Sequence, residues 1–234
     1  MRIVYCKNYE DLSKKAAQIV LSQVILKPNC VLGLPTGDTP LGMYKNIAKE
    51  NIDFSGVTTF NLDEYVGLKP THDQSYHYFM NKNLYSKVNL KPENTFVPDG
   101  FCEDLEKAGE IYDNKIAAHG GIDLMVLGIG ANGHIGFNEP APALASGTHV
   151  VNLTQNTKEA NSRFFVGESV PDKAITMGVG TILKSRKVLL LAAGASKKDA
   201  VMQLLEGNVR TDNPSTLLLT HIDSTILIDE TILK

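Results

Sequence analysis

Short apolar runs alternate with amphipathic stretches along the whole chain, and that alternation limits what it can fold into. Residues 2–5, 30–34, 58–62, 124–128, 188–193 and 225–228 read as strands, because they are short, apolar and rich in branched side chains. Between them apolar residues recur at helical spacing. In residues 9–26, Leu12, Ala16, Ile19, Val20 and Val24 fall near one face. Residues 39–50, 75–84, 103–119, the stretch around 178–183 and residues 197–206 read as further helices. Thr39 is the expected N-cap of its helix, Pro40 takes the first helical position, and Gly207 stands just past the end of the last helix. Strands alternating with helices predict an α/β fold, a mostly parallel sheet with helices on both faces.

The chain has 234 residues, 43% hydrophobic and 21% charged, enough to bury a sizeable core in one large α/β domain or two small ones. No internal repeat, low-complexity tract or Ser/Gly linker divides it. The formal net charge is −3 with no basic stripe, so neither nucleic acid nor an anionic membrane is an expected partner. Residues 16–26 are broken by Gln18, Ser22 and Gln23 and are too short to span a bilayer. The opening Met1-Arg2-Ile3-Val4-Tyr5 turns polar at once, unlike a signal peptide. Cys6, Cys30 and Cys102 are odd in number and match no zinc or redox spacing. Free thiols in a reducing compartment are expected, and with them a cytoplasmic location.

In open parallel sheets, ligands lie beyond the carboxyl ends of the strands. Four such ends carry polar residues. After Leu34 the chain reads Pro35-Thr36-Gly37-Asp38-Thr39-Pro40. A glycine turn leading into a helix offers amide N–H groups and the threonine hydroxyls, which suits a phosphate monoester. The same residues also read as an ordinary capped turn, and the Gly-Lys-Ser/Thr ending of a P-loop is absent. After Asn61-Leu62 come Asp63-Glu64-Tyr65. An acid held there out of water has a raised pKa and can serve as a general base, unless the loop is simply solvated.

The third end is Gly128-Ile129-Gly130-Ala131-Asn132-Gly133-His134-Ile135-Gly136-Phe137-Asn138-Glu139-Pro140. It matches G-x-G-x-x-G in form, but Gly136 and Pro140 prevent a long helix from following. Leu153, not an acid, stands near the ribose-binding position. The glycines read better as a place where backbone approaches a small ligand closely. His134 and Glu139 flank a turn there as a workable acid–base pair. A zinc site would need a third ligand that the local sequence lacks. The fourth end, Gly194-Ala195-Ser196-Lys197-Lys198, places a lysine where only an anion would favour it, and Arg163 is a second candidate cation.

Taken together, Leu32-Gly33-Leu34-Pro35-Thr36-Gly37, Phe60-Asn61-Leu62-Asp63-Glu64-Tyr65-Val66-Gly67-Leu68, Gly133 through Pro140 and Ala160-Asn161-Ser162-Arg163-Phe164-Phe165 resemble the glucosamine-6-phosphate isomerase/deaminase family. The resemblance runs from near the N-terminus to about Lys197. It implies one Rossmann-like domain over residues 1–234, with a small lid at about residues 151–175. It implies conversion of glucosamine 6-phosphate and water into fructose 6-phosphate and ammonia, with no metal or other cofactor. By matched position Asp63 is the base that moves a proton from C2 to C1, His134 opens the pyranose ring, and Glu139 orients and tunes the imidazole. Thr36, Gly37, Thr39, Arg163 and Lys197 correspond to a phosphate clamp, within a substrate-binding turn that includes Asp38.

This chain carries Asn132 where many members carry Asp, so an amide without charge would orient His134. Pro142, His149 and Val151 stand where allosteric members place a small hydroxyl residue and basic residues, and a C-terminal extension of hexameric members is missing. No activation by an N-acetylated sugar phosphate is expected, and the expected assembly is a monomer or small homo-oligomer. The nearest alternative is a 6-phosphogluconolactonase, whose hydrolysis needs no shuttle for a carbon-bound proton. A sugar-phosphate sensor is the other, but no helix-turn-helix or basic region accompanies the fold.

Overall fold

Residues Leu124, Met125, Val126 and Leu127 are all buried, and the strand they build lies at the centre of a seven-stranded sheet. The structure is a computed structural model that describes residues 1–165 and 167–234, without the side chains of Asn156 and Ala160. The sheet contains β1 (Arg2–Cys6), β2 (Val31–Leu34), β3 (Thr58–Asn61), β5 (Thr95–Phe96), β6 (Leu124–Gly128), β9 (Lys187–Ala192) and β10 (Ser224–Asp229). Their order is β1-β10-β9-β6-β2-β3-β5, and every pairing is parallel.

Alternation along the strands divides the core in two. Leu124 and Val126 of β6, with Leu189 and Leu191 of β9, face one cluster. It is closed by α1 (Tyr9–Leu26), α2 (Leu41–Ile47) and α3 (Tyr76–Asn83), through Leu12, Val20, Met43, Ile47 and Met80. Met125, Leu127, Val188 and Leu190 face the other cluster. That side is closed by α4 (Leu105–Ala118), α6 (Val179–Leu183) and α7 (Lys198–Leu205), through Tyr112, Ile116, Ile182, Val201 and Leu204. A strand buried on both sides is apolar throughout, so this part of the fold agrees with the sequence pattern.

Two details of the helices differ from expectation. The second helix begins at Leu41 and ends at Ile47, with Pro40 rather than Thr39 as its cap residue and no side-chain cap bond. The Gly42 N–H, which a Thr39 cap would accept, goes to the Tyr9 hydroxyl instead, at 2.9 Å. The last helix begins at Lys198, after a 3₁₀ turn over Ala195–Lys197. Gly207 follows it at φ 80°, the left-handed conformation that closes a helix end.

A second sheet was not expected. It is antiparallel, with order β4-β8-β7: β4 (Asp63–Tyr65), β8 (Lys173–Thr176) and β7 (His149–Asn152). Between β7 and β8 lies α5 (Gln155–Ser162), so the expected lid segment is a strand–helix–strand excursion, with Val166 outside the described residues. Tyr65, Phe137, Leu153, Phe165 and Ala174 form a small separate cluster beneath it. No helix among the described residues is long and apolar enough to cross a membrane.

Candidate active site

From β2 the chain moves outward through β3 to β5, then returns to β6 and moves the other way through β9 to β10. The loops after β2 and β6 therefore diverge, and a crevice opens between them at the carboxyl edge of the sheet. Residues 35–40 form one wall and residues 129–140 the other.

Asp63 stands at the junction of the two sheets. Asn61 ends β3 in the parallel sheet, and Asp63 begins β4 in the antiparallel one, opposite Thr176. The Leu62 carbonyl between them accepts the Met177 N–H at 2.7 Å. Asp63 is only 7% exposed. Burial, and then the neighbouring Glu64 carboxylate, push its pKa up to about 8. Gly136 passes close by at φ 58°, and a Cβ there would lie 2.9 Å from Thr176 Oγ1 and 3.6 Å from Asp63 Oδ2. Both the backbone angle and the space call for glycine.

Glu64 points elsewhere. Its Oε1 accepts the N–H groups of Tyr65 and Tyr76, and its Oε2 accepts that of His77. Tyr76 and His77 open α3, and Ser75 accepts the N–H of Tyr78. The first amides of that helix are thus satisfied, and the buried carboxylate stands at its positive end. Glu64 fixes β4 to α3 and holds the backbone beneath Asp63 in place.

On the opposite wall, side chains form a chain of hydrogen bonds. Thr157 Oγ1 donates to Glu139 Oε1 at 2.6 Å, and Asn132 Nδ2 donates to Glu139 Oε2 at 2.6 Å. The Asn132 amide therefore turns its oxygen to His134, whose Nδ1–H donates to it at 2.7 Å. Glu139 Oε2 is 3.4 Å from the same Nδ1. With Nδ1 so engaged, Nε2 is the ring nitrogen left for substrate. Burial alone would raise the Glu139 pKa. The hydrogen bond and charge of His134, with the bonds from Thr157 and Asn132, outweigh it and hold the carboxyl down at about 2. Glu139 is thus a fixed anion, and Asn132 does by hydrogen bonding what a carboxylate at its place would do by charge.

The glycine loop is supported from below. Gly133 adopts φ 83°, and a Cβ there would lie 2.0 Å from Asn213 Oδ1. Ser215 N–H donates to the Gly133 carbonyl at 2.8 Å. Phe137 N–H donates to Thr176 Oγ1 at 3.1 Å, and the Asn138 side chain donates to the carbonyls of Ile135 and Met177. The loop is therefore pinned to the second sheet.

The anion-binding candidates come together in part. Thr36, Gly37, Asp38 and Thr39 form the turn after β2, with Gly37 at φ 88°. Arg163, at the end of α5, pairs with the Asp38 carboxylate. Asp38 is thus a partner of the arginine, and its charge would repel a phosphate. Lys197 lies beyond β9, partly buried, and that burial lowers its pKa. It makes no ion pair among the described residues. His72, Asp73 and Glu168 lie within reach of a common point. However, His72 Nδ1 accepts the Gln74 N–H and Nε2 faces Glu168 at 3.2 Å, so the cluster is a hydrogen-bonded clasp rather than an open ligand set.

Thr157 and Asn213 are site residues that the sequence does not mark, since their contacts with the glycine loop span 18 and 80 positions; the pairing Asp63-Glu64 does stand out, but not that Glu64 serves the backbone of α3.

A family profile described as glucosamine-6-phosphate isomerases/6-phosphogluconolactonase matches residues 7–227. Proteins named glucosamine-6-phosphate deaminase are similar over 98% of this chain. That of Thermoanaerobacter sp. (strain X514) is 53% identical, with 93% of its own length covered. That of Clostridioides difficile (strain 630) is 52% identical, with 94% covered. Among solved structures, one described as a monomeric glucosamine-6-phosphate deaminase superposes with a TM-score of 0.97 at 45% identity, over 100% of this chain and 99% of that one. A 6-phosphogluconolactonase from Trypanosoma cruzi reaches a TM-score of 0.80 at 19% identity, over 99% of this chain and 95% of that one, a likeness of fold alone.

Proposed function

The chain belongs to the family of glucosamine-6-phosphate isomerases and 6-phosphogluconolactonases, and within it we propose that it is a glucosamine-6-phosphate deaminase. It acts in amino-sugar breakdown as an isomerase and hydrolase of a carbon–nitrogen bond, releasing fructose 6-phosphate and ammonia. The observation that carries this reading over a lactonase is Asp63, a buried acid set against the glycine loop that carries His134. Hydrolysis of a lactone has no carbon-bound proton for such an acid to move.

The residues divide the reaction between them. His134, through Nε2, moves the proton between the anomeric hydroxyl and the ring oxygen, which opens the pyranose. The exposed aldehyde acidifies the C2–H bond. Asp63 takes that proton, giving an enolamine, and returns it to C1. The iminium left at C2 then adds water and loses ammonia, which balances the reaction. A positioned acid–base group contributes about 10²–10⁴-fold in rate. Asn132, Glu139 and Thr157 keep the imidazole in one tautomer and orientation. Thr36, Gly37, Thr39, Arg163 and Lys197 hold the phosphate, supplying binding energy remote from the bonds that change.

Residues 151–175 serve as the lid of a single domain, since Thr157 and Arg163 reach the two walls of the crevice from this one segment. The absence of an effector site fits Pro142, His149 and Val151, a monomer or small homo-oligomer fits the likeness to a solved monomeric deaminase, and a cytoplasmic location fits the free, unclustered cysteines.

Purified protein given glucosamine 6-phosphate should release ammonia and fructose 6-phosphate in equal amounts, and Asp63→Asn should lose both together. Turnover of a lactone instead, unaffected by Asp63→Asn, would overturn the assignment.

A further inference from the structure

The turn after β2 is held from outside by a residue that the mechanism does not use. Helix α2 has no cap of its own, because Pro40 at its start has neither an N–H nor an accepting side chain. The Tyr9 hydroxyl, from the first turn of α1, takes that place. It accepts the Gly42 N–H at 2.9 Å and faces the carbonyl oxygens of Asp38 and Thr39, each at 3.1 Å. A phenol has one hydrogen and two lone pairs, so it can donate to this pair of carbonyls and still accept the amide.

The fit around it is close. A Cβ at Gly42 would lie 2.2 Å from Ser13 Oγ and 3.0 Å from Tyr9 Oη, so the first turns of α1 and α2 meet at a point only glycine can occupy. Tyr9 and Ser13 are four residues apart on α1, hence on one face. Asn8 caps α1 itself by accepting the Asp11 N–H, so the phenol projects from a fixed helix end.

We propose that Tyr9 is a positioning residue for the phosphate site, setting the backbone of residues 38–42 from α1. This rests on residues 36–39 being the phosphate turn. In a trans peptide the carbonyl and the following N–H point in opposite directions. Holding the Asp38 carbonyl against α1 turns the Thr39 N–H away from α1. Holding the Thr39 carbonyl there as well keeps both oxygens from confronting an anion. The Asp38 carbonyl also accepts the Leu41 N–H at 3.2 Å, so without the hydroxyl it is the Thr39 carbonyl that is released to rotate outward, and the turn must be re-formed each time a phosphate binds.

The test is Tyr9→Phe in the full chain, which removes one oxygen and keeps the ring. The KM for glucosamine 6-phosphate and the Ki for inorganic phosphate should rise together by about 2- to 12-fold, the range for one hydrogen bond. The kcat should stay within about twofold, because phosphate contacts serve ground and transition states alike. Gly42→Ala, whose Cβ would press first on Ser13 and then on the phenol and so part α1 from the turn, should move both constants in the same direction. Lys197→Ala and Thr36→Val are measured beside them. If these two shift the phosphate Ki and Tyr9→Phe does not, the role of Tyr9 is overturned and the phosphate turn stands. If neither shifts it, the phosphate reading fails and the role of Tyr9 falls with it. A Tyr9→Phe variant that loses kcat with KM unchanged would also overturn the proposal.

Discussion

The seven-stranded sheet is parallel and packed on both faces, whereas the three-stranded sheet is antiparallel, with strands of three and four residues. The first is held by area: Leu189, Leu190 and Leu191 in β9 are all at 0% exposure, each in contact with a hydrophobic cluster. The second is held by point contacts. Glu64 binds backbone amides of α3, Thr176 receives the Phe137 N–H, and Asn138 reaches the Met177 carbonyl. The difference separates two tasks. Buried area sets stability and tolerates small shifts in any one side chain. Point contacts set position, which is what a proton-transferring carboxylate needs.

Substitutions in the two sheets should have opposite effects on turnover and stability. Asp63→Asn, in the small sheet, should cut turnover by about 10²–10⁴-fold. It should leave the thermal midpoint equal or higher, since a neutral amide replaces a poorly solvated acid. Leu190→Ala, in the large sheet, should do the reverse, costing about 2–5 kcal/mol of stability in a denaturant titration. The folded fraction should keep the kcat of the parent. If Leu190→Ala lowered kcat in fully folded protein, or Asp63→Asn unfolded the chain, the division would fail.

Gly109 of α4 lies against β7, and a Cβ there would stand 2.1 Å from the Thr148 carbonyl oxygen, which is backbone and cannot swing away. Gly109→Ala should cost about 1–3 kcal/mol by overpacking, read as a lowered denaturant midpoint. Because the clash displaces β7, kcat should fall as well, which would make this the one variant that moves both quantities.

A smaller effect is expected in the hydrogen-bond chain. Thr157→Val removes the bond to Glu139 Oε1 and should lower kcat/KM by about 2- to 12-fold. Stability should be affected little.

The pH dependence separates the two carboxyls. Asp63 must be ionised to take the C2 proton, and its pKa in the empty site is about 8, so kcat/KM should rise with pH until it levels off above that value. In stability the two groups have opposite signs. The proton on Asp63 is held more tightly in the folded chain, so its contribution is full below the ordinary value of 3.8 and is lost as pH rises through about 8. Glu139 is held at about 2, so its contribution is present above the ordinary value of 4.5 and is lost as pH falls through about 2. In urea midpoints, Asp63→Asn should flatten the fall in stability as pH rises from 3.8 to about 8, and Glu139→Gln the fall as pH drops from 4.5 to about 2.

What could be read from the sequence follows the same division. Strands such as β6 and β9 announce themselves, because burial on both faces leaves a run of apolar letters. The strands β4, β7 and β8 do not. Asp63-Glu64-Tyr65 and His149-Val150-Val151-Asn152 carry polar residues and are too short to show a period. They become strands only by pairing with each other across the length of the chain. Asp63 was visible because it follows an apolar strand, and His134 and Glu139 because they lie in a glycine-rich loop after another. Thr157 was hidden, and so was the division of labour between Asp63 and Glu64, because a hydroxyl on a helix and an acid beside another acid look like surface until the fold brings their partners in. The contact of Arg163 with Asp38, rather than with an open anion site, was hidden for the same reason.

One peptide span joins the two architectures: Asn61 closes a strand of the large sheet, Asp63 opens a strand of the small one, and Leu62 alone separates them. This restricts how the gene can be recombined. A chimera that takes residues 149–176 from a relative and keeps residues 61–65 of its own would pair foreign strands with the native β4 and carry the register error straight to the carboxylate. Crossover points placed outside both segments, so that they travel as one inheritance unit, should yield active hybrids. Points placed between them should yield folded hybrids that do not turn over substrate.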